Sequence, residues 1–304
     1  MNTTFPIKRL TSYNFLSVLF FLFLFISCED TNKDKNTSKH KQDKHLVKQV
    51  KKTDSLSNDP KSNLRNFEKG KIENTLALKN GLIIKWLAKG KGEKIKKGEV
   101  VLLEYRLALP DGRIIDGNQR IKMPFIPFMV GYNMQTKGWD LALCEMKVGD
   151  FVKVEIPADL ARGEKGIPGV IPPNSANWLY LKVRARVSPE YNQGGVQVWT
   201  LMKGEGSDVD QTMDKEIQYH AIVSTASNPS VMNTYAAHFP LKYSPGQKNV
   251  IPGLRKTLNN AKKGEKIFVL VDAKQAYGSR GYVNLIKPNE SVFFNLTIKD
   301  VRPI

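Results

Sequence analysis

Apolar and polar positions alternate along much of this chain with the period of a β-strand. Val101, Leu103, Tyr105, Leu107 and Leu109 alternate with Val100, Leu102, Glu104, Arg106 and Ala108. Pro110-Asp111-Gly112 follows, so a strand running into a tight turn is expected there. Val152, Val154 and Ile156 alternate with Phe151, Lys153 and Glu155, and Leu179, Leu181 and Val183 with Trp178, Tyr180 and Lys182. Helical spacing is clear only from Trp139 to Met146, and Val148-Gly149 ends it. Several strands around one short helix predict an α+β domain, a curved antiparallel sheet packed on that helix.

The pattern occurs twice. Lys89-Gly90-Lys91-Gly92 returns as Lys203-Gly204-Glu205-Gly206, and a tyrosine follows the first glycine at equal spacing, Tyr105 and Tyr219. Past one inserted residue the register continues through Gly131/Gly246, Gly138/Gly253, Gly149/Gly264, Gly163/Gly278 and Pro173/Pro288. A repeat of this length is a duplicated domain and not a solenoid unit. Two tandem domains are expected, over 81–189 and 194–304, with Ser188 to Gly195 as linker.

The start of the chain reads differently. Lys8 and Arg9 precede the apolar stretch Phe15 to Ile26, which has the form of a signal peptide over 1–27. Phe25-Ile26-Ser27-Cys28 resembles the lipobox of bacterial lipoproteins, where the cysteine receives acyl chains. Cys28 is then a lipidation site and the chain is held on a membrane. An ordinary signal peptide with an incidental cysteine, or an anchor helix, is the alternative. Residues 28–80 are polar and basic, thirteen Lys/Arg against eight Asp/Glu after Cys28, which predicts a flexible tether. A helical turn or two is conceivable within 64–76. The whole chain of 304 residues carries a formal charge of +18. For an exported protein that bias does not argue for nucleic acid, and no nucleic-acid partner is expected. With Cys28 lipidated, Cys144 is left as a lone thiol on the helix. His40, His45, His220 and His238 lack ligand spacing, so neither metal nor cofactor is expected.

Asp111-Gly112, Ile115-Asp116, Gly138-Trp139-Asp140, Val148-Gly149-Asp150, Ile156-Pro157 and Ile171-Pro172-Pro173-Asn174 together resemble the FKBP-type peptidyl-prolyl cis–trans isomerases, in order and at family spacing. The second copy matches through Val250-Ile251-Pro252-Gly253, Lys263-Gly264-Glu265 and Ala276-Tyr277-Gly278. The whole chain is similar to a two-domain bacterial lipoprotein of this family, of flavobacterial type. The resemblance implies a pocket in the first domain with Tyr105, Asp116 and Trp139 as its central residues. Ile115, Ile126, Phe128, Val170, Ile171 and Leu179 would line it, and Thr136 would offer its backbone N–H to substrate. Arg162, also counted among the substrate-binding residues, stands where the family has a tyrosine, and a solvated loop residue is its plainer reading. In the second domain Tyr219, Tyr243, Ile251, Tyr277 and Phe294 would line a cleft, with Leu254 in place of the tryptophan. No counterpart of Asp116 is secure there, Asn233 being the nearest, so this copy reads as degenerate.

The expected function is prolyl isomerisation of proline-containing segments of exported or unfolded proteins, at the cell envelope and mainly in the first domain. A non-catalytic, chaperone-like binding lipoprotein is the alternative.

Overall fold

The computed structural model describes residues 71–205 and 214–304. The expected signal peptide, Cys28 and the tether up to residue 70 lie outside them. The first sheet contains β1 (Asn74–Ala77), β2 (Ile83–Ala88), β3 (Val100–Ala108), β4 (Ile114–Gly117), β5 (Ile126–Met129), β6 (Phe151–Ile156) and β7 (Asn177–Val187). The second contains β8 (Tyr191–Gln193), β9 (Val196–Met202), β10 (Lys215–Thr225), β11 (Met232–Asn233), β12 (Leu241–Tyr243), β13 (Lys266–Val271) and β14 (Val292–Pro303). Helix α1 (Asn118–Ile121) is a single turn, while α2 (Lys137–Glu145) and α3 (Pro252–Asn259) are longer. The first sheet runs β1-β2-β6-β7-β3-β4 with β5 on β3, and the second β8-β9-β13-β14-β10-β11 with β12 on β10. Every pairing is antiparallel, and the two orders are the same arrangement used twice.

Each core lies between the sheet and its helix. Glycine makes that close approach possible: a Cβ at Gly138 in α2 would meet Leu160 O at 3.1 Å and lie inside contact distance of Ile156. In α3, a Cβ at Gly253 would likewise press on Val271 and lie 3.1 Å from Val196.

Three details depart from the sequence reading. The tether does not extend to residue 80, because Asn74–Ala77 pairs with Ile83–Trp86 through a turn at Gly81 (φ 84°). Of the helical turn considered within 64–76, residues 74–76 are strand, and 64–70 lie outside the described residues. The linker is itself partly sheet: Tyr191–Gln193 folds back on Val196–Val198 around Gly194 and Gly195, both at positive φ.

The sheets also meet each other. Val100, Leu102, Met129, Ala185 and Val187 of the first pack against Trp199, Leu201, Phe268, Leu270 and Phe293 of the second. This explains why both faces of β3 are buried at its start, where its alternate residues are apolar too. The Trp199 indole N–H donates to the Val187 carbonyl at 2.9 Å across this contact.

Candidate functional site

The first-domain site is built on β3, β4, β5 and α2. Strand pairing sets Leu107 opposite Asp116, so the β4 carboxylate reaches back to Tyr105 two residues along β3. The Tyr105 hydroxyl donates to Asp116 Oδ2 at 2.9 Å. Asn118 fixes the strand from the adjoining turn, its Oδ1 accepting the Tyr105 backbone N–H at 2.5 Å. The Trp139 indole meets the Tyr105 ring edge-on at 5.2 Å and stacks near-parallel on Phe128 at 5.8 Å. Ile115, Ile126, Ile171 and Leu179 belong to the same buried cluster, and half-buried Val170 packs against it. The structure therefore brings together Tyr105, Asp116, Trp139, Ile115, Ile126, Phe128, Val170, Ile171 and Leu179.

Burial raises the Asp116 carboxyl above the ordinary aspartate range, opposed by the Gly117 N–H, the Tyr105 hydroxyl and Arg120. Burial, and then the Asp116 charge, push the Tyr105 phenol up as well. The tyrosine consequently stays protonated and acts as donor in this pair. The Arg120 guanidinium, which the sequence did not single out, donates to the Ile115 carbonyl beneath the same pair.

Thr136 sits immediately before α2 with extended backbone (φ −74°, ψ 157°). Its N–H donates to none of the described residues, and its Oγ1 is buried without a partner. Arg162 is half-buried and not a freely solvated loop residue. Burial lowers its pKa, and its Nη2 donates to Gln135 Oε1 at 3.1 Å. A guanidinium keeps its charge even so, and none of the described carboxylates pairs with it. Cys144 is half-buried on α2, and burial raises its thiol pKa, against a nucleophilic role.

The turn before α2 depends on Asp140, which follows Trp139. Its carboxylate accepts the Gly131 N–H at 2.7 Å and the Asn133 N–H at 2.8 Å. Burial nevertheless pushes this carboxyl up to about 6. The folded state then holds the proton more tightly than the unfolded chain, whose aspartates titrate near about 3.9. Asp140 therefore contributes less stability as pH rises between those values. From about pH 4.5 to about pH 7.5 the wild type should lose about 2 kcal/mol more than Asp140→Asn in denaturant unfolding. Equal slopes in the two proteins would show that the carboxyl titrates normally.

The second domain differs from the sequence alignment at β10. The bulge in β3 falls between Leu102 and Leu103, and that in β10 between Gln218 and Tyr219. Tyr219 thus occupies the position of Leu103, and Ala221 that of Tyr105. Three pairings agree with this register. Tyr105 faces Leu181 and Ala221 faces Leu296, Leu107 faces Asp116 and Val223 faces Met232, and Leu103 faces Ile126 and Tyr219 faces Leu241. The equivalence of Tyr105 with Tyr219 is therefore corrected, and Asn233 is not the counterpart of Asp116. Met232, an exposed apolar residue, takes that place, while Asn233 Oδ1 accepts the N–H groups of Tyr235 and Ala236. Thr234 does the work of Asn118, its Oγ1 accepting the Ala221 N–H at 2.9 Å. The shift arises because the segment between Gly204 and β10 is two residues longer than its counterpart after Gly90, which glycine spacing alone conceals.

Of the other residues named for this copy, Tyr243, Leu254 and Phe294 lie in its core, with Ile251 and Tyr277 packed against it. Ile251 directly precedes α3, as Thr136 precedes α2. The wall corresponding to Ile171 is Ile286, which makes the same bridge, to Tyr282, that Ile171 makes to Ile167. The Gly163/Gly278 and Pro173/Pro288 register already implies this equivalence. Tyr219 remains close to Tyr243 and Tyr277, and burial pushes its phenol up to about 12.

Comparison with known proteins shows the family. The sequence pattern of the FKBP-type peptidyl-prolyl cis-trans isomerases matches residues 91–184 and again 208–299. The chain belongs to that family. Among similar curated proteins, the FK506-binding protein 4 of Rhizopus delemar is 42% identical over 98 residues, covering 32% of this chain and 25% of the relative. The peptidyl-prolyl cis-trans isomerase FKBP53 of Arabidopsis thaliana is 41% identical over 107 residues, 34% of this chain and 22% of the relative. These matches span about a quarter of the relatives' length. Of solved structures, the three FKBP domains of wheat FKBP73 align with a TM-score of 0.36 at 21% identity, covering 74% of this chain and 96% of that one.

Proposed function

We propose that the chain is a peptidyl-prolyl cis–trans isomerase that acts mainly through its first domain. The observation carrying this reading is the Tyr105–Asp116–Trp139–Phe128 group, an apolar aromatic enclosure with one oriented donor–acceptor pair. Rotation about a peptide bond has a barrier of roughly 18–20 kcal/mol because the planar amide is stabilised by resonance. A twisted amide has lost that resonance and carries less charge on its oxygen. A dry enclosure therefore favours the twisted state over the planar one, with no covalent step. In this mechanism Trp139 underlies the proline ring, Phe128, Ile115, Ile126, Val170, Ile171 and Leu179 exclude water, and Asp116 with Tyr105 faces the proline carbonyl. The unpaired Thr136 N–H orients the chain on the far side of the proline.

Catalysis by the second domain is disfavoured by Ala221, Met232 and Leu254 at the three central positions. Phe15–Ile26 and Cys28 support export and a lipid anchor, and with them activity at the cell envelope on proline-containing segments of exported proteins. A second reading, peptide binding without catalysis, is favoured by one feature. Arg162 sets a charged, desolvated guanidinium where the family resemblance calls for a tyrosine hydroxyl.

A prolyl-isomerisation assay on the full chain, with a peptide carrying leucine before proline, separates the two. Acceleration above the uncatalysed rate is expected. A folded protein that binds the peptide without accelerating its isomerisation would establish the binding reading instead.

A further inference from the structure

The turn that joins β5 to α2 is held from two sides. Gly131 and Asn133 both adopt left-handed backbone (φ 81° and 56°). From within the first domain, Asp140 ties down their N–H groups. From the second domain, the end of β10 ties down what remains. Asn133 Nδ2 donates to the carbonyls of Thr225 at 2.8 Å and Ala226 at 3.1 Å. Ser224 Oγ donates to the Tyr132 carbonyl at 2.5 Å, and the Tyr132 ring lies 6.1 Å from that of Phe293. Two residues past Asn133 the same turn carries Gln135, the partner of Arg162, and then Thr136. The contact borders the site itself. A cavity of about 40 Å³ is lined by Tyr105, Phe128 and Gln135 on one side and Ser224, Pro229 and Asn295 on the other.

We propose that the second domain is a positioning element of the first-domain pocket: Ser224, Thr225 and Ala226 hold the Tyr132–Gln135 turn in the conformation in which Gln135 retains Arg162 and Thr136 presents its N–H. A copy that has lost its own central residues is thereby given work on its neighbour's. Positioning by a rigid support is how a first domain lacking the family tyrosine keeps its remaining polar groups aligned. Only the catalytic consequence rests on the isomerase reading; the structural coupling does not.

The test uses the full chain with Ser224→Ala and Asn133→Gly, each removing interdomain donors while keeping the turn's own backbone bonds to Asp140. Trp199→Phe, which removes an interdomain hydrogen bond outside the turn, is the control. The first readout is the Arg162 guanidinium proton signal in NMR, which requires no ligand. It should move towards that of solvent-exposed arginines in both turn variants and stay put in Trp199→Phe. The second is the Kd for a tetrapeptide with leucine before proline, expected to rise about three- to tenfold in both turn variants and not in the control. Unchanged Arg162 signals in folded Ser224→Ala would overturn the proposal. So would equal changes in Trp199→Phe, since that outcome means general loosening. If Asn133→Gly does not fold, Ser224→Ala decides alone. A wild type that binds the peptide without catalysing defeats the isomerase reading while leaving both readouts here intact.

Discussion

Trp139→Leu is expected to lower kcat/KM for prolyl isomerisation by the full chain at least about tenfold while leaving the first domain folded. The indole is the only side chain that contacts both Tyr105, edge-on, and Phe128, face-on, among the described aromatic pairs of this domain. Leucine fills part of its volume but presents neither a flat floor nor a ring edge to hold the tyrosine. The fold should tolerate it, because the duplicate already carries Leu254 at this position of α3, fully packed. The lost volume still costs about 2–4 kcal/mol by analogy with large-to-small core changes. Thermal unfolding followed by circular dichroism should therefore show a lower midpoint with a single transition preserved. An unchanged rate in that folded variant would remove Trp139 from the site.

Gly166→Ala should be nearly as damaging, for a backbone reason. Gly166 has φ 55° and ψ −149°, a conformation that residues with a Cβ avoid. A Cβ there would also lie inside contact distance of the Ile171 carbonyl oxygen and 2.8 Å from the Pro172 carbonyl carbon, neither a flexible side-chain end. The loop cannot yield locally. Gly166 N donates to the Arg162 carbonyl at 3.2 Å, and Ile167 and Ile171 exchange backbone bonds at 2.8 and 2.9 Å. Displacement therefore reaches Ile171, Val170 and Arg162 together. Stability should fall by about 2–4 kcal/mol, and KM should rise more than kcat falls, because the wall moves while Trp139 stays. Gly163→Ala is the comparison: its φ is also left-handed, at 56°, but the nearest atom to a Cβ is 4.0 Å away. It should cost about 1 kcal/mol and leave KM alone. Equal effects at the two glycines would mean that backbone strain and not the Ile171 contact is responsible.

The sequence carried a large part of this structure in its periodicities. Alternation marked β3, β6 and β7, the Trp139 segment marked α2 to within two residues at its start, and recurrent glycines exposed the duplication. The family motifs named residues of the first domain that the structure brings into one buried cluster, since each motif spans both a turn and the residue that the turn delivers. Arg162 was misjudged because a loop arginine is usually solvated, and nothing local shows that Gln135, distant in sequence, reaches it. Asp140 was visible beside Trp139, but its task depends on N–H groups seven and nine residues earlier that face it only after α2 has docked. Tyr219 was misassigned because strand identity in a sheet is decided by the bulge and the pairing partner. A two-residue change in loop length leaves every odd-numbered side chain on the same face while moving each one pleat along.

By itself, then, the amino-acid sequence determined the α+β class, the repeat, the strand faces and most residues of the first-domain aromatic cluster, all of which depend on local periodicity and short-range spacing. The register of β10, the burial of Arg162 and the docking of one sheet on the other were decided only in three dimensions. Those features rest on contacts between residues far apart in the chain, whose apolar and polar patterns are each compatible with more than one pairing.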